Sequence, residues 1–224
     1  MLNQYLNKVF YGDALHLLRG LPSHAVDGVF ADPMYGVAKN PKPRTTYDWG
    51  ADPFLGNPEK WWKGIPGVHS GHRRIYHECL RVLKPGGKLA WAMGVKFRDY
   101  FPDWFGGYRI WSFCRYEKKS LNAFGHIWIV QTADQHPVAF PDKDSLIVTR
   151  NDSELRRLHP CPKAVAEMEF LVENLSEPND VIMDCFAGSG TTLVAAKRLR
   201  RNWIGCDLSR AYCRVTLSRL SQVK

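Results

Sequence analysis

No Cys-x-x-Cys pair occurs in this sequence: its six cysteines, at positions 79, 114, 161, 185, 206 and 213, are scattered along the chain. That scatter argues against a disulfide framework and against a structural zinc site. A basic, apolar, small-residue leader is missing, and no apolar run is long enough to span a bilayer, so neither export nor membrane insertion is expected. Repeats, low-complexity tracts and an interdomain linker are absent too, and residues 1–224 read as a single domain. Negative charge is in short supply: 22 Asp and Glu stand against 31 Lys and Arg, a formal net charge of +9. This surplus points to a polyanionic partner, although a generally basic surface would give the same balance. What is there is 45% hydrophobic content over 224 residues, enough for one α/β domain with a real core.

The densest signal lies between Asp184 and Asp207. Val181-Ile182-Met183 is a short apolar run of the kind found in buried parallel strands. Thr191 to Leu199 has helical spacing, with Leu193, Val194, Ala196 and Leu199 available for an inward face. Asn202-Trp203-Ile204-Gly205-Cys206 predicts the next strand, with Asp207 at its tip. The turn between strand and helix is Gly188-Ser189-Gly190, where the lack of side chains lets a ligand approach backbone and helix N-terminus. An acidic residue ending the second strand suits a ribose, so the unit fits an adenosine-containing cofactor. No lysine precedes Thr191, which excludes a phosphate-cradling P-loop, and Leu193 stands where a dinucleotide fingerprint has its third glycine.

Earlier in the chain, Val9-Phe10-Tyr11 predicts a strand ending at Gly12-Asp13, followed by a helix over Ala14 to Leu21. Val26 to Ala31 predicts a second strand that runs into Asp32-Pro33-Met34-Tyr35, at the strand end where open α/β sheets bind ligands. Val37 to Gly67 is irregular, with Lys39, Lys42 and Arg44 interleaved among Tyr47, Trp49, Trp61 and Trp62, as in a nucleic-acid-facing loop. His69, His72, His77 and Cys79 match no strong metal-ligand spacing, and no metal is expected. A helix over Ile75 to Leu83 is predicted to stop at Lys84-Pro85-Gly86-Gly87, before a strand over Lys88 to Met93. Tyr108 to Phe113 and His126 to Val130 alternate as paired strands, joined by a loop that holds Lys118-Lys119. Ala133 to Leu158 reads as a basic loop with little periodicity apart from Leu146-Ile147-Val148. A helix from Ala164 to Leu175 leads to the glycine turn, and Ser209 is placed to cap a last helix ending near Leu220.

Asp184-Cys185-Phe186-Ala187-Gly188-Ser189-Gly190-Thr191-Thr192 resembles the cofactor motif of S-adenosylmethionine-dependent amino-group DNA methyltransferases, and Asp32-Pro33-Met34-Tyr35 resembles their Asp-Pro-Pro-Tyr element. The catalytic element comes first and the cofactor glycines last, which is the order of the family's β class; Lys84-Pro85-Gly86-Gly87 and His159-Pro160-x-x-Lys163 also stand where that class has them. The resemblance runs from Val9 to about Leu220 and is weakest over Val37 to Gly67 and Ala133 to Leu158. It implies an α/β, Rossmann-like class I methyltransferase fold: a mostly parallel sheet with one antiparallel strand and helices on both faces. It also implies a cytoplasmic, DNA-associated enzyme of a prokaryotic cell, with S-adenosylmethionine as cofactor and double-stranded DNA as partner. Residues 36–70 and 131–158 would be variable loops facing DNA. Their shortness makes a homodimer attractive as extra DNA-binding surface.

By the same resemblance, Asp13 and the Ala14 backbone would meet the cofactor adenine, and Asp207, with Leu208 beside it, would hold the ribose. Phe186 to Thr192 would wrap the methionine part after Asp184 and Cys185, with His159, Pro160 and Lys163 flanking and Lys163 near its carboxylate. Asp13 could equally only cap its helix, and Lys163 be a surface lysine. Catalysis falls to Asp32, Pro33, Met34 and Tyr35. An exocyclic amine is a poor nucleophile because its lone pair is delocalised into the ring. Two acceptors, the Asp32 carboxylate and the Pro33 carbonyl, would draw its nitrogen towards tetrahedral geometry, and Tyr35 would stack on the flipped base. Asp32 also belongs to the cofactor-binding set; at a strand end before a proline, its side chain has little structural work to do. Asp at the first position favours adenine N6, leaving cytosine N4 as the alternative. Met34 replaces the usual second proline, which keeps open a silent nucleic-acid-binding protein on the same scaffold, and RNA as a substrate. A cytosine-C5 reaction through Cys161 is rejected, because the glutamine expected after such a cysteine is missing.

Overall fold

A computed structural model describes residues 2–33, 68–94, 109–117, 125–132, 146–149, 155–159 and 162–223. The expectations for Met34, Tyr35 and Pro160, for stretch 36–67 and for Lys118-Lys119 lie outside the described residues. After a single 3-10 turn at Leu2–Gln4, the chain gives β1 (Lys8–Tyr11), α1 (Ala14–Gly20), β2 (Val26–Ala31), α2 (Val68–Val82) and β3 (Leu83–Gly94). Next come β4 (Arg109–Glu117), β5 (Gly125–Gln131), β6 (Leu146–Thr149) and the short α3 (Leu155–Leu158). The last part is α4 (Val165–Leu175), β7 (Val181–Asp184), α5 (Thr191–Arg198), β8 (Asn202–Asp207) and α6 (Arg210–Ser221).

Among the described residues, eight strands form one sheet in the order β1-β8-β7-β2-β3-β5-β4-β6. Every neighbouring pair among them is parallel except the two that involve β5, which runs antiparallel to the other seven. Side-chain alternation sorts the strands between two cores. Val29, Ala31, Leu89, Trp91, Met183, Ile204 and Cys206 face α1 and α2, which contribute Leu17, Leu18, Tyr76, Cys79 and Val82. Phe30, Ala90, Ala92, Ile182 and Trp203 face α4, α5 and α6, which contribute Met168, Leu171, Val172, Leu193, Val194 and Leu220. Helices therefore cover both faces, as the α/β expectation required.

Three sequence expectations are corrected. The helix predicted from Ile75 begins at Val68 and ends at Val82, one residue before Leu83. Lys84-Pro85-Gly86-Gly87 does not lie between helix and strand: it sits inside β3 as a bulge, with Val26 opposite Leu83 but Gly28 opposite Lys88. Gly86 supplies a φ of 78° there, and a Cβ on Gly87 would lie 2.9 Å from the Lys84 carbonyl oxygen. Asp27 fastens the bulge, because its carboxylate accepts from Lys84 Nζ at 2.7 Å and from the Val181 amide at 2.9 Å, joining β3 and β7 to β2. Third, the stretch read as a loop from Ala133 to Leu158 contains β6, paired parallel to β4 at the sheet edge, and α3. The apolar run Leu146-Ile147-Val148 is what gives that edge strand its pattern.

Candidate active site

The carboxyl ends of β1, β8, β7 and β2 are adjacent in the sheet, so Gly12-Asp13, Asp207, Asp184 and Asp32 converge on one rim. The register makes this concrete: Tyr11 lies opposite Asp207, and Phe30 opposite Asp184. Gly12 donates its amide to the Asp207 carbonyl at 3.0 Å, extending the β1–β8 contact to the start of α1. Asp13 caps that helix, with its carboxylate accepting from the His16 amide at 3.0 Å. The capping role allowed from sequence is thus present, at a position beside Asp207.

The turn after β7 is held from three sides. Asp184 folds it from within, accepting from the Phe186 amide at 2.9 Å, and the Ala187 amide donates to the Cys206 carbonyl at 2.9 Å. Asp207 ties it to β8: one carboxylate oxygen accepts from the Gly188 amide at 2.8 Å, the other from the Ser209 amide at 2.7 Å. From α6, Thr216 donates to the Gly188 carbonyl at 3.1 Å, and Arg219 donates to the Ser189 carbonyl and to the Thr191 hydroxyl, the latter at 3.0 Å. Gly188 and Gly190 take left-handed φ values of 52° and 74°, and Gly190 is the N-cap of α5. His159 lies over the turn, its Nε2 3.0 Å from where a Cβ on Gly188 would be, and its ring meets Tyr212 edge-on at 4.6 Å. Thr191 and Thr192 are buried at the start of α5, and Thr192 donates to the Met168 sulfur at 3.4 Å.

Asp32 and Pro33 follow β2 directly, with Pro33 buried and Asp32 part-exposed. Contrary to the expectation of an idle side chain, the Asp32 carboxylate accepts an ion-paired hydrogen bond from Lys163 Nζ. Lys163 stands just before Ala164, the N-cap of α4, and its side chain is only 13% exposed, so the surface-lysine reading fails. Burial pushes the Lys163 ammonium below its ordinary range, while Glu167 and then Asp184 oppose that. Asp184 moves the other way: burial raises its carboxyl from 3.8 to about 6, against hydrogen bonds from Thr192 and Phe186. Burial also raises Asp207, with the Ser209 and Gly188 amides opposing. Asp32, Glu167 and Asp184 thus face one mostly buried lysine, and Asp207 adds a fourth carboxylate beside Asp184.

Several of these residues escaped the sequence reading. Glu167 is 1% exposed on the core stripe of α4, where Met168, Leu171, Val172 and Leu175 pack; a carboxylate on an apolar stripe was the available signal. Thr216 and Arg219 reach the turn from a helix whose spacing gives no sign of the contact. At the outer edge, the Arg210 guanidinium stacks 4.5 Å over the exposed Tyr11 ring, near the exposed Leu208. The thiols here are poor nucleophiles: the facing Cys79 sulfur, 3.7 Å away, and burial push Cys185 well up, and burial pushes Cys206 to about 12.

Comparison with known proteins agrees with this geometry. The N6/N4 methylase family, described as DNA methylase, matches residues 108–218. The type II methyltransferase M.HinfI of Haemophilus influenzae is 27% identical over 258 aligned positions, covering 100% of this chain and 70% of the relative. Among solved structures, the M1.HpyAVI–SAM complex superposes with a TM-score of 0.66 at 20% identity, over 95% of this chain and 98% of the other. The cytosine-N4-specific PvuII DNA methyltransferase gives a TM-score of 0.68 at 19% identity, over 94% of this chain and 85% of the other. These matches support this chain as a member of the N6/N4 family of S-adenosylmethionine-dependent DNA amino-methyltransferases.

Proposed function

We propose that this chain transfers the methyl group of S-adenosylmethionine to the N6 amino group of adenine in double-stranded DNA. The observation that carries the reading is Asp32: a carboxylate at the carboxyl end of β2, followed by Pro33 and paired to the lysine that also faces Asp184 beside the glycine turn. The donor set suits the cofactor. Four carboxylates against one lysine leave a negative surplus, which favours a ligand carrying a sulfonium and an ammonium. Each Asp207 oxygen spends one acceptor site on a backbone amide, and a carboxylate has about four such sites, so the ribose hydroxyls still find acceptors there.

In this assignment Asp13 and the Ala14 backbone meet the adenine, Asp207 and Leu208 the ribose, and residues 186–192 the methionine part. Lys163, with His159 and Pro160 close in sequence, holds the methionine carboxylate. The cofactor supplies an electrophilic methyl on a positively charged sulfur. Asp32 and the Pro33 carbonyl accept the two N–H groups of the target amine, which localises its lone pair, and Asp32 stabilises the positive charge that grows on nitrogen. Tyr35 stacks on the extruded base. Residues 36–70 and the stretch 131–158 face the duplex, together with the basic surplus that favours a polyanion. Asp as the first residue of the Asp-Pro-x-Tyr element supports adenine over cytosine.

The test is transfer of labelled methyl to duplex DNA, followed by hydrolysis and nucleoside analysis. The label is expected in N6-methyladenine. Label in N4-methylcytosine would reassign the base, and no transfer by a protein that binds the cofactor would leave a nucleic-acid-binding protein on the same scaffold.

A further inference from the structure

We propose that Lys163 serves two carboxylates in turn, pairing with Asp32 until the cofactor's own carboxylate draws it away, so that cofactor binding is what frees Asp32 to accept from the target amine. The inference rests on the assignment of the rim as the S-adenosylmethionine site. Its starting point is the ion pair itself: the lysine assigned to the cofactor carboxylate is bonded to the residue assigned to the substrate amine. An ammonium has three donors, so hydrogen-bond count alone lets it serve both; exchange is the arrangement that also clears Asp32 of the adjoining positive charge. A carboxylate whose lone pairs are engaged by an ammonium is a weaker acceptor for an amine N–H, and the positive charge beside it opposes the charge developing on the nitrogen.

The surroundings make exchange easy. Lys163 precedes the N-cap of α4, so its long side chain pivots from a position outside the helix. Glu167 is buried one turn further on, and Asp184 lies at the end of the neighbouring strand. Whichever carboxylate Lys163 leaves, it is never stranded as a lone buried charge, because these two continue to compensate it. A lysine with no other acid nearby could not move without that cost. Glu167 is therefore a positioning residue: it keeps the ammonium in the site while the partner changes. The consequence for the reaction is an order. A target base meeting the protein before the cofactor finds Asp32 occupied by Lys163, whereas one arriving afterwards finds it free.

The experiment compares ligand affinities by calorimetry, using S-adenosylhomocysteine, which has the carboxylate, and 5′-methylthioadenosine, which lacks it. The proteins are the parent chain, Asp32→Asn, Lys163→Met and the double variant, each checked for folding by circular dichroism. If Asp32 competes for Lys163, Asp32→Asn binds S-adenosylhomocysteine about tenfold more tightly than the parent, as expected when the lysine spends about nine-tenths of its time on Asp32. Binding of 5′-methylthioadenosine stays unchanged. In the Lys163→Met background the tightening disappears, whereas plain repulsion between two carboxylates would survive it. Equal or weaker binding of S-adenosylhomocysteine by Asp32→Asn overturns the exchange, as does tightening that persists without Lys163. A parent chain that binds neither ligand overturns the assignment of the site as well.

Discussion

Replacing Gly190 by alanine tests how tightly the cofactor turn is built against α6. Gly190 has φ 74° and ψ 21°, a left-handed conformation that costs an alanine about 1–2 kcal/mol. A Cβ there would also lie 2.4 Å from Thr216 Cγ2, 2.6 Å from its Oγ1 and 2.8 Å from its Cβ. All three belong to a short side chain on a packed helix, so relief requires α6 or the turn to move, at about 1–3 kcal/mol for overpacking. The sum, about 2–5 kcal/mol, is a large part of the roughly 5–15 kcal/mol that a domain has to lose. Urea unfolding followed by circular dichroism measures it. Thr216→Ala alone should cost about 1 kcal/mol, the hydrogen bond to the Gly188 carbonyl. In the Gly190→Ala background the same change removes the two closest contacts and should cost at least about 1 kcal/mol less than it does alone, a coupling typical of residues in contact. Two strictly additive substitutions, or a Gly190→Ala protein within about 1 kcal/mol of the parent, would refute this account of the turn.

Asp32→Ala should remain folded, losing about 1–2 kcal/mol because its pair with Lys163 is part-exposed and Glu167 and Asp184 still face the lysine. Methyl transfer should fall by about two to four orders of magnitude, and a folded variant working near the parent rate would remove Asp32 from the chemistry. A pH effect follows from Asp184, whose carboxyl burial lifts from 3.8 to about 6. Between those values the native chain keeps a proton that the unfolded chain has released. The associated stability is full below pH 3.8 and is lost as pH rises to about 6, a loss of about 3 kcal/mol. Asp184→Asn stays neutral and retains an acceptor for the Phe186 amide, so its stability relative to the parent should rise between pH 4 and 7. Denaturant titrations at intervals across that range measure the difference, and a flat difference contradicts the burial argument.

The sequence was most readable where local chemistry decides structure. Asp13, Ser209 and the glycine turn are short-range devices, and each stands where residue type alone put it. The strands from Val26, Val181 and Asn202 were visible because they are short, apolar and bounded by polar residues. Lys84-Pro85-Gly86-Gly87 misled because proline and glycine ordinarily end an element. Here Asp27 and the flanking strands hold the bulge inside β3 through contacts that join distant parts of the chain. The pairing of Lys163 with Asp32 was illegible for a similar reason: 131 residues separate them, and each was judged by its own neighbours. Glu167 left a trace as a charge among core positions, but only the fold shows that Lys163 is what it faces.

The strand order has a consequence for how the chain is made. β1 and β2 are synthesised early, yet β8 and β7 lie between them in the finished sheet. A nascent chain ending before Val181 can pair β2 with β3, but it has no strand for β1 to join and leaves one edge of β2 bare. The sheet is completed by inserting a late unit, two parallel strands joined by a crossover helix, into an interior gap. Such non-local pairing is intrinsically slow, and the waiting strand edges are templates for association with other chains. The rim that carries Asp13, Asp32, Asp184 and Asp207 is assembled only in that final step, so a chain in mid-synthesis holds both early acidic residues and no site for them to serve.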